Sequence, residues 1–346
     1  MTSVTHELRV RPDKIASVCT PFKLGPYLAV APTPVAERGV AVVGRVLTVS
    51  AQYGHIELRS GRPAVLVPGD IIVGVLGARA ALRGFCGDVP DAVERGDILW
   101  LLNKGGVIGK SAGATVGLGE PIQLEVIGTP VRDGKPLRLS DYAIKPAPLP
   151  DPLPPVLVVG ATCMHAGKTT AAGVITHHLT RRGIKVHAGK ATGVAALADL
   201  MSFSDNGAVT TLSFVDAGLP STCNYEDVPT TTRTLLAHLA QDNPDVIVLE
   251  LGDGLLGAYG VDDIIADSGL TRTFRAAIVA ANDIIGGLAA SERLRAAGIN
   301  VAAITGPATD NEAGRRKLAQ LGFAAANTFH QPGELCTLVC NALGIS

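Results

Sequence analysis

The stretch that most restricts this chain runs from Val156 to Val174 and reads VLVVGATCMHAGKTTAAGV. Four apolar residues meet a glycine, a turn of mostly small residues follows, and Gly-Lys-Thr-Thr opens a helical pattern. A strand that is apolar throughout belongs in a sheet covered on both faces. The turn then delivers the chain to a helix N-terminus, whose unpaired N–H groups attract an anion. The stretch predicts a phosphate-binding loop built from Gly160, Thr162, His165, Ala166, Gly167, Lys168, Thr169 and Thr170. In this arrangement Lys168 reaches the outer phosphates and Thr169 offers a hydroxyl to Mg²⁺. Val174, Ile175 and Leu179 form the apolar stripe of the helix, Arg181 and Arg182 its last turn, and Gly183 its stop. The spacing departs from the usual loop: six residues separate Gly160 from Gly167 instead of four, and Thr162 stands where the first glycine would be. Cys163 and His165, two apart on a tight turn, read as loop shape and not as a nucleophile and its base. His177 and His178 read as surface positions of the helix.

Residues 145–155, KPAPLPDPLPP, hold six prolines in eleven positions and can be neither helix nor central strand. The chain therefore divides into a β-rich domain at 1–145, a stiff linker at 146–155 and a second domain at 156–346. Before the linker, short β-branched runs such as VAVVGRVLTVS, GHIELRSG and PIQLEVIG are punctuated by Gly, Pro, Asp and Asn. That rhythm predicts a small β-barrel or sandwich, and the Asp-Gly of VRDGKPLRL predicts a hairpin. The Gly-rich LLNKGGVIGKSAGATVGLG has a Gly-Lys but no helical pattern after it, so it reads as a loop of the β-domain. After the linker, apolar runs (VLVVG, IKVHAGK, VIVLELG, AAIVAAN, VAAITG) alternate with amphipathic stretches. The pattern is α/β: a doubly wound parallel sheet with ligands at the carboxyl ends of its strands.

Composition excludes several partners. Thirty Lys and Arg against 31 Asp and Glu leave no basic excess for a nucleic-acid backbone. Aromatic residues at 4% leave few platforms for base stacking. No apolar run is long enough to span a membrane, and the N-terminus has no apolar core of a signal peptide. The scattered Cys19, Cys86, Cys163, Cys223, Cys336 and Cys340 are expected to be reduced thiols of a cytoplasmic protein. Cys336 and Cys340, four apart, are expected to pack a helix and not to bind metal.

Landmarks beyond the loop recur in a known order: AGKATG after the second strand, SFSDNGAV, FVDAGLPST, PDVIVLELGDGLLG and the long AAIVAANDIIGGLAASERLRAAGINVAAITG. Over roughly residues 156–325 this series resembles the dethiobiotin synthetase and cobyrinate amide synthase branch of P-loop enzymes. It is also similar to bacterial proteins related to D-glutamate N-acetyltransferase. The resemblance implies Mg²⁺ and ATP as cofactors, with Lys168 and Lys190 facing the transferred phosphoryl group. It implies Mg²⁺ held by Thr169, Glu250 and Asp205, with Asp199 the alternative to Asp205. Substrate contacts fall to Thr192, Gly193, Asp216, Ser221, Thr222 and Asp253. The implied reaction activates a small carboxylate or amino-acid-like substrate as an acyl phosphate, which an amine captures, in a homo-oligomer of two or more chains. Two rival activities are acyl transfer on a reused P-loop fold and a nucleotide switch or metallocentre chaperone. Gly306-Pro307 replaces the Asn-Arg that helps read the base in the branch, so the choice of nucleobase stays open.

Overall fold

The computed structural model describes residues 7–50 and 53–345. The chain forms two compact units. The first comprises Met1–Ile144 together with Val194–Ala198 and Phe214–Asn224; the second holds Lys145–Gly193, Asp199–Ser213 and Tyr225–Ser346. The sequence pattern shows a single cut at the proline-rich linker, and the two short later segments are the difference.

In the first unit the strand pairing closes on itself. Ala41–Val46 pairs with Ile71–Leu76, which pairs in parallel with Val107–Ala114. Val107–Ala114 pairs with Ile98–Leu101, that strand with Gln123–Arg132, and Gln123–Arg132 returns to Ala41–Val46. Val43, Val73, Val75, Ile108, Leu124 and Val126 are buried in its core. The Asp-Gly turn is where the sequence predicts it: Arg132 faces Lys135 across the hairpin, and both Asp133 and Gly134 have positive φ, as a two-residue turn of this hand requires. Lys110 of the Gly-rich run lies on the strand Val107–Ala114. Glu57 is buried, and its carboxylate accepts from Ser17 Oγ and from the N–H groups of Leu197 (2.7 Å) and Ala198 (2.7 Å). Three donors offset the cost of burying that charge.

The second unit is built on six parallel strands: β1 (Val156–Ala161), β2 (Val186–Thr192), β3 (Thr210–Ser213), β4 (Val246–Leu251), β5 (Phe274–Ala280) and β6 (Val301–Thr305), in the order β3-β2-β4-β1-β5-β6. Every residue of β1, β2 and β4 is buried, which explains why β1 is apolar or small throughout and β4 is apolar but for Glu250. On one face, Leu157, Val159, Ala188, Val248 and Ile278 pack with Ile175 and Leu179 of helix α1 (Lys168–Arg181), Phe203 of α2 (Leu197–Asp205) and residues near the C-terminus. Ile175 and Leu179 are fully buried, each worth about 1.5–3 kcal/mol. α1 ends as its sequence predicts, with Gly183 at positive φ and Ile184 N–H returning to the Leu179 carbonyl at 3.2 Å. His177 is exposed and His178 half-buried. Cys336 and Cys340 are buried in the core of this face, and burial pushes the Cys336 thiol up to about 12. Among the described residues no helix is long and apolar enough to cross a membrane.

Candidate nucleotide site

The carboxyl ends of the central strands carry the charged residues of the site. Register sets Lys190 on β2 beside Glu250 on β4, and Glu250 beside Val159 on β1. After β1, residues 162–167 form the turn into α1. Gly167 is the N-cap at φ 96, a conformation that suits glycine, and His165 is also left-handed at φ 60. The turn is anchored on both sides: Thr162 N–H donates to the Ala280 carbonyl at 3.1 Å, and Leu255 N–H donates to that of Ala161 at 3.0 Å. Ala161, Ala166 and Ala280 pack together beneath it. Asn282 Nδ2 lies 2.9 Å from Cys163 Sγ, so that thiol contributes to the loop's shape. The His165 side chain is exposed.

Lys168, the first residue of α1, donates from its ammonium to the carbonyls of Cys163 (3.1 Å) and Asp253. Thr169 Oγ1 donates to Glu250 Oε1 at 3.1 Å, while Glu250 Oε2 is buried without a hydrogen-bond partner. Lys190 forms an ion pair with Asp199. Its stem runs between two glycines: a Cβ on Gly193 or Gly252 would lie 3.1 or 3.0 Å from Lys190 Cε.

Electrostatics tie these groups into one site. Burial holds the Lys168 ammonium below the usual lysine range; Glu250 opposes that shift and Lys190 adds to it. Burial pushes the Glu250 carboxyl above the usual carboxylate range. Lys190, Lys168 and the Thr169 hydroxyl oppose that rise, and Asp199 adds to it. Burial thus disfavours the charged form of both groups. A phosphate chain would answer Lys168, and a divalent cation would answer the unpartnered oxygen of Glu250. Among the described residues no three of His, Cys, Asp and Glu stand together as a metal cage. Thr169 and Glu250 fit Mg²⁺ of the kind that keeps waters and takes phosphate oxygens as its remaining ligands.

The structure separates the two acidic candidates on α2. Asp199 reaches Lys190, whereas Asp205 is exposed at the end of the helix. Six residues along an α-helix turn a side chain by roughly 240°, so the two cannot share a face. Asp199, and not Asp205, is therefore the residue that reaches Lys190. Thr192 is buried and donates from Oγ1 to the Gly252 carbonyl at 3.1 Å. Asp253 heads the loop after β4 at φ 64 and lends its carbonyl to Lys168. Asp216, Ser221 and Thr222 belong to the first unit. There Ser221 Oγ accepts from the Cys223 N–H at 3.0 Å, and the Asp216 carbonyl accepts from Ile144 at 2.8 Å.

Of one wall of the site, sequence reasoning singled out Gly306 and Pro307 and passed over the rest. A cavity of about 510 Å³ opens beside Gly167 and Thr170 at the start of α1, lined further by Pro307, Asp310, Asn327 and Phe329. Its sequence signal is the polar run NTFHQP before the last helix, α-helical from Pro332 to Leu343, which carries no recognisable motif.

No family model matches the sequence, and no curated protein matches it. Among solved structures, the signal recognition particle receptor FtsY from Elizabethkingia anophelis is similar at 15% identity and a TM-score of 0.39, over 61% of this chain and 75% of that one. Signal recognition particle 54 kDa protein from Aeropyrum pernix, in complex with GDP, follows at 17% identity and a TM-score of 0.37, over 60% and 50%. The kinase domain of the Escherichia coli tyrosine kinase ETK has 14% identity and a TM-score of 0.32, over 43% and 66%. None is close enough to bring its function to this chain; the second unit stands on its own geometry as a parallel α/β sheet with Lys168 at the start of the helix that follows β1.

Proposed function

We propose that the second unit binds a magnesium nucleoside triphosphate and promotes transfer of its terminal phosphoryl group. The observation that carries this is a buried Lys168 followed directly by Thr169, whose hydroxyl holds one oxygen of the buried Glu250 while the other oxygen has no partner. In phosphoryl transfer the protein's task is alignment and charge neutralisation. Lys168, released from the carbonyls of Cys163 and Asp253, would donate to the outer phosphates. Lys190 would face the transferred group, oriented by Asp199. Thr169 and Glu250 would hold Mg²⁺, which when bound neutralises phosphate charge. For the acceptor, the resemblance to dethiobiotin synthetase-like enzymes supports a small carboxylate or amino-acid-like molecule near Thr192 and Gly193.

One contact favours a second reading, a nucleotide switch. Lys168 holds the loop after β4 through the Asp253 carbonyl, and a phosphate would compete for that ammonium. Phosphate release from Mg-ATP and Mg-GTP, measured alone and with panels of small carboxylates, separates the readings. Release that requires one carboxylate supports activation of that acceptor, and release without any supports the switch. Consumption of an acyl-CoA without nucleotide turnover supports neither and points to acyl transfer. Lys168→Ala is expected to lower release at least 100-fold in a protein that melts as the wild type does. Undiminished release in that variant ends the phosphate-loop reading.

A further inference from the structure

The cavity beside α1 has a chemistry of its own. Two turns form its far wall. One follows β6, where Gly306 and Pro307 lead through a short 3₁₀ turn to Asp310. The other is the Asn327–His330 run. The buried Asn327 side chain locks them together. Its Nδ2 donates to Thr309 Oγ1 at 3.1 Å and to Asp310 Oδ1 at 3.0 Å, and its Oδ1 accepts from the N–H groups of Phe329 (2.9 Å) and His330 (3.0 Å). A primary amide has two donors and two acceptor positions, so Asn327 is fully used as scaffold and has nothing left to read a ligand. Thr328 is likewise engaged, with Thr305 at 2.8 Å. Asp310 differs: one carboxylate oxygen accepts from Asn327, and the residue is otherwise exposed at the cavity. Phe329, 73% exposed on the same wall, offers an apolar ring.

Resting on the reading of residues 160–170 as a phosphate loop, we infer that this cavity takes the base of the nucleotide and that Asp310 selects guanine over adenine. A carboxylate only accepts hydrogen bonds. Guanine offers two adjacent donors on its pairing edge, the N1–H and the 2-amino group, which match a carboxylate. Adenine places an unprotonated ring nitrogen there, and its acceptor lone pair would face the carboxylate's negative charge. Phe329 supplies a stacking surface that serves either purine, so it contributes affinity without choice. Selectivity rests on Asp310, because a site built around a hydrogen bond rejects the analogue that cannot make it. The branch that the sequence resembles uses ATP; Asp310 is the residue that would set this chain apart from it.

The test is equilibrium binding of fluorescent GDP, ADP and xanthosine diphosphate to the full-length protein with Mg²⁺. Wild type is expected to hold GDP at least tenfold more tightly than ADP. Asp310→Asn keeps an oxygen for Asn327 and adds an amide donor. It is expected to erase the preference for GDP, leave ADP within about twofold, and improve xanthosine diphosphate, whose C2 oxygen accepts from an amide. ADP binding as tight as GDP in wild type overturns the base assignment and leaves the phosphate loop standing. So does a GDP to ADP ratio that Asp310→Asn does not change. Failure of all three nucleotides to bind overturns the loop reading and the base assignment together.

Discussion

Gly252 follows β4 directly, two residues after Glu250, and a side chain there has nowhere to go. A Cβ built on it would stand 2.1 Å from the Thr192 carbonyl oxygen and 3.0 Å from Lys190 Cε. The lysine stem can swing away, but the carbonyl belongs to the backbone. Ordinary contact begins at 3.4 Å, so Thr192 would have to retreat by more than 1 Å in Gly252→Ala. Such overpacking costs about 1–3 kcal/mol. In a unit of this size each kcal/mol moves the melting temperature by about 2–4 °C, so a drop of about 2–12 °C is expected. Turnover should fall further than stability, because the strained segment carries Lys190 on one side and Glu250 on the other, and a displacement near 1 Å costs about 100-fold. Gly333→Ala is the control. A Cβ on Gly333, in the first turn of the last helix, meets nothing within 4 Å, and alanine there is expected to be neutral or to stabilise by up to about 1 kcal/mol. Differential scanning fluorimetry and a phosphate-release assay read both. If Gly252→Ala melts with the wild type and turns over at its rate, the close packing of these strand ends is not what the structure says.

The parts of this site that the sequence shows plainly are those set by neighbours along the chain. The β1 strand, its turn and α1 are contiguous, and a fully apolar run followed by Gly-Lys-Thr admits few other readings. Lys190 and Glu250 are visible for a related reason: a charge at the end of an apolar strand marks a carboxyl end in a parallel sheet. Asp199 and Asp205 cannot be told apart in this way. Which of them faces Lys190 depends on where α2 begins, and its first N–H groups are held by Glu57, 141 positions from Ala198. The phase of a helix that is capped from so far away is not written in its own sequence. The cavity at Asp310 is hidden for the same reason, since Asn327 joins two turns 17 residues apart. The segments 194–198 and 214–224 are too short to carry a period of their own, so nothing in their pattern separates them from the second unit.

Three further outcomes are expected. Cys163 and Cys86 are half-buried while the other four thiols are buried, so brief alkylation followed by mass spectrometry should label these two, and Mg-nucleotide should protect Cys163 alone; labelling of Cys163 that nucleotide does not slow would remove it from the site. Asp199→Asn breaks the Lys190 ion pair and should lower turnover by about tenfold or more, whereas the exposed Asp205→Asn should stay within about twofold; equal losses in a Mg²⁺ titration would refute the assignment on α2. The last concerns acid stability. Asp267 accepts two bonds from Arg233, at 2.7 and 2.6 Å, and caps the N–H groups of Gly269 and Leu270. The Arg233 guanidinium, with those N–H groups, holds its carboxyl below the usual carboxylate range. A carboxyl depressed by folding adds stability that is fully present above its unfolded value and is lost as the pH falls through its folded one. Asp267→Ala removes both cap and pair and should cost about 1–2 kcal/mol at neutral pH. Asp267→Asn keeps a capping oxygen and should cost less than about 1 kcal/mol, the share of a half-buried pair that solvent still screens. The gap between wild type and Asp267→Asn in urea melts should then close as the pH is lowered from about 5 toward about 2. A gap that holds constant or widens over that range would show that the charge on Asp267 contributes nothing, and that the cap alone stabilises this turn.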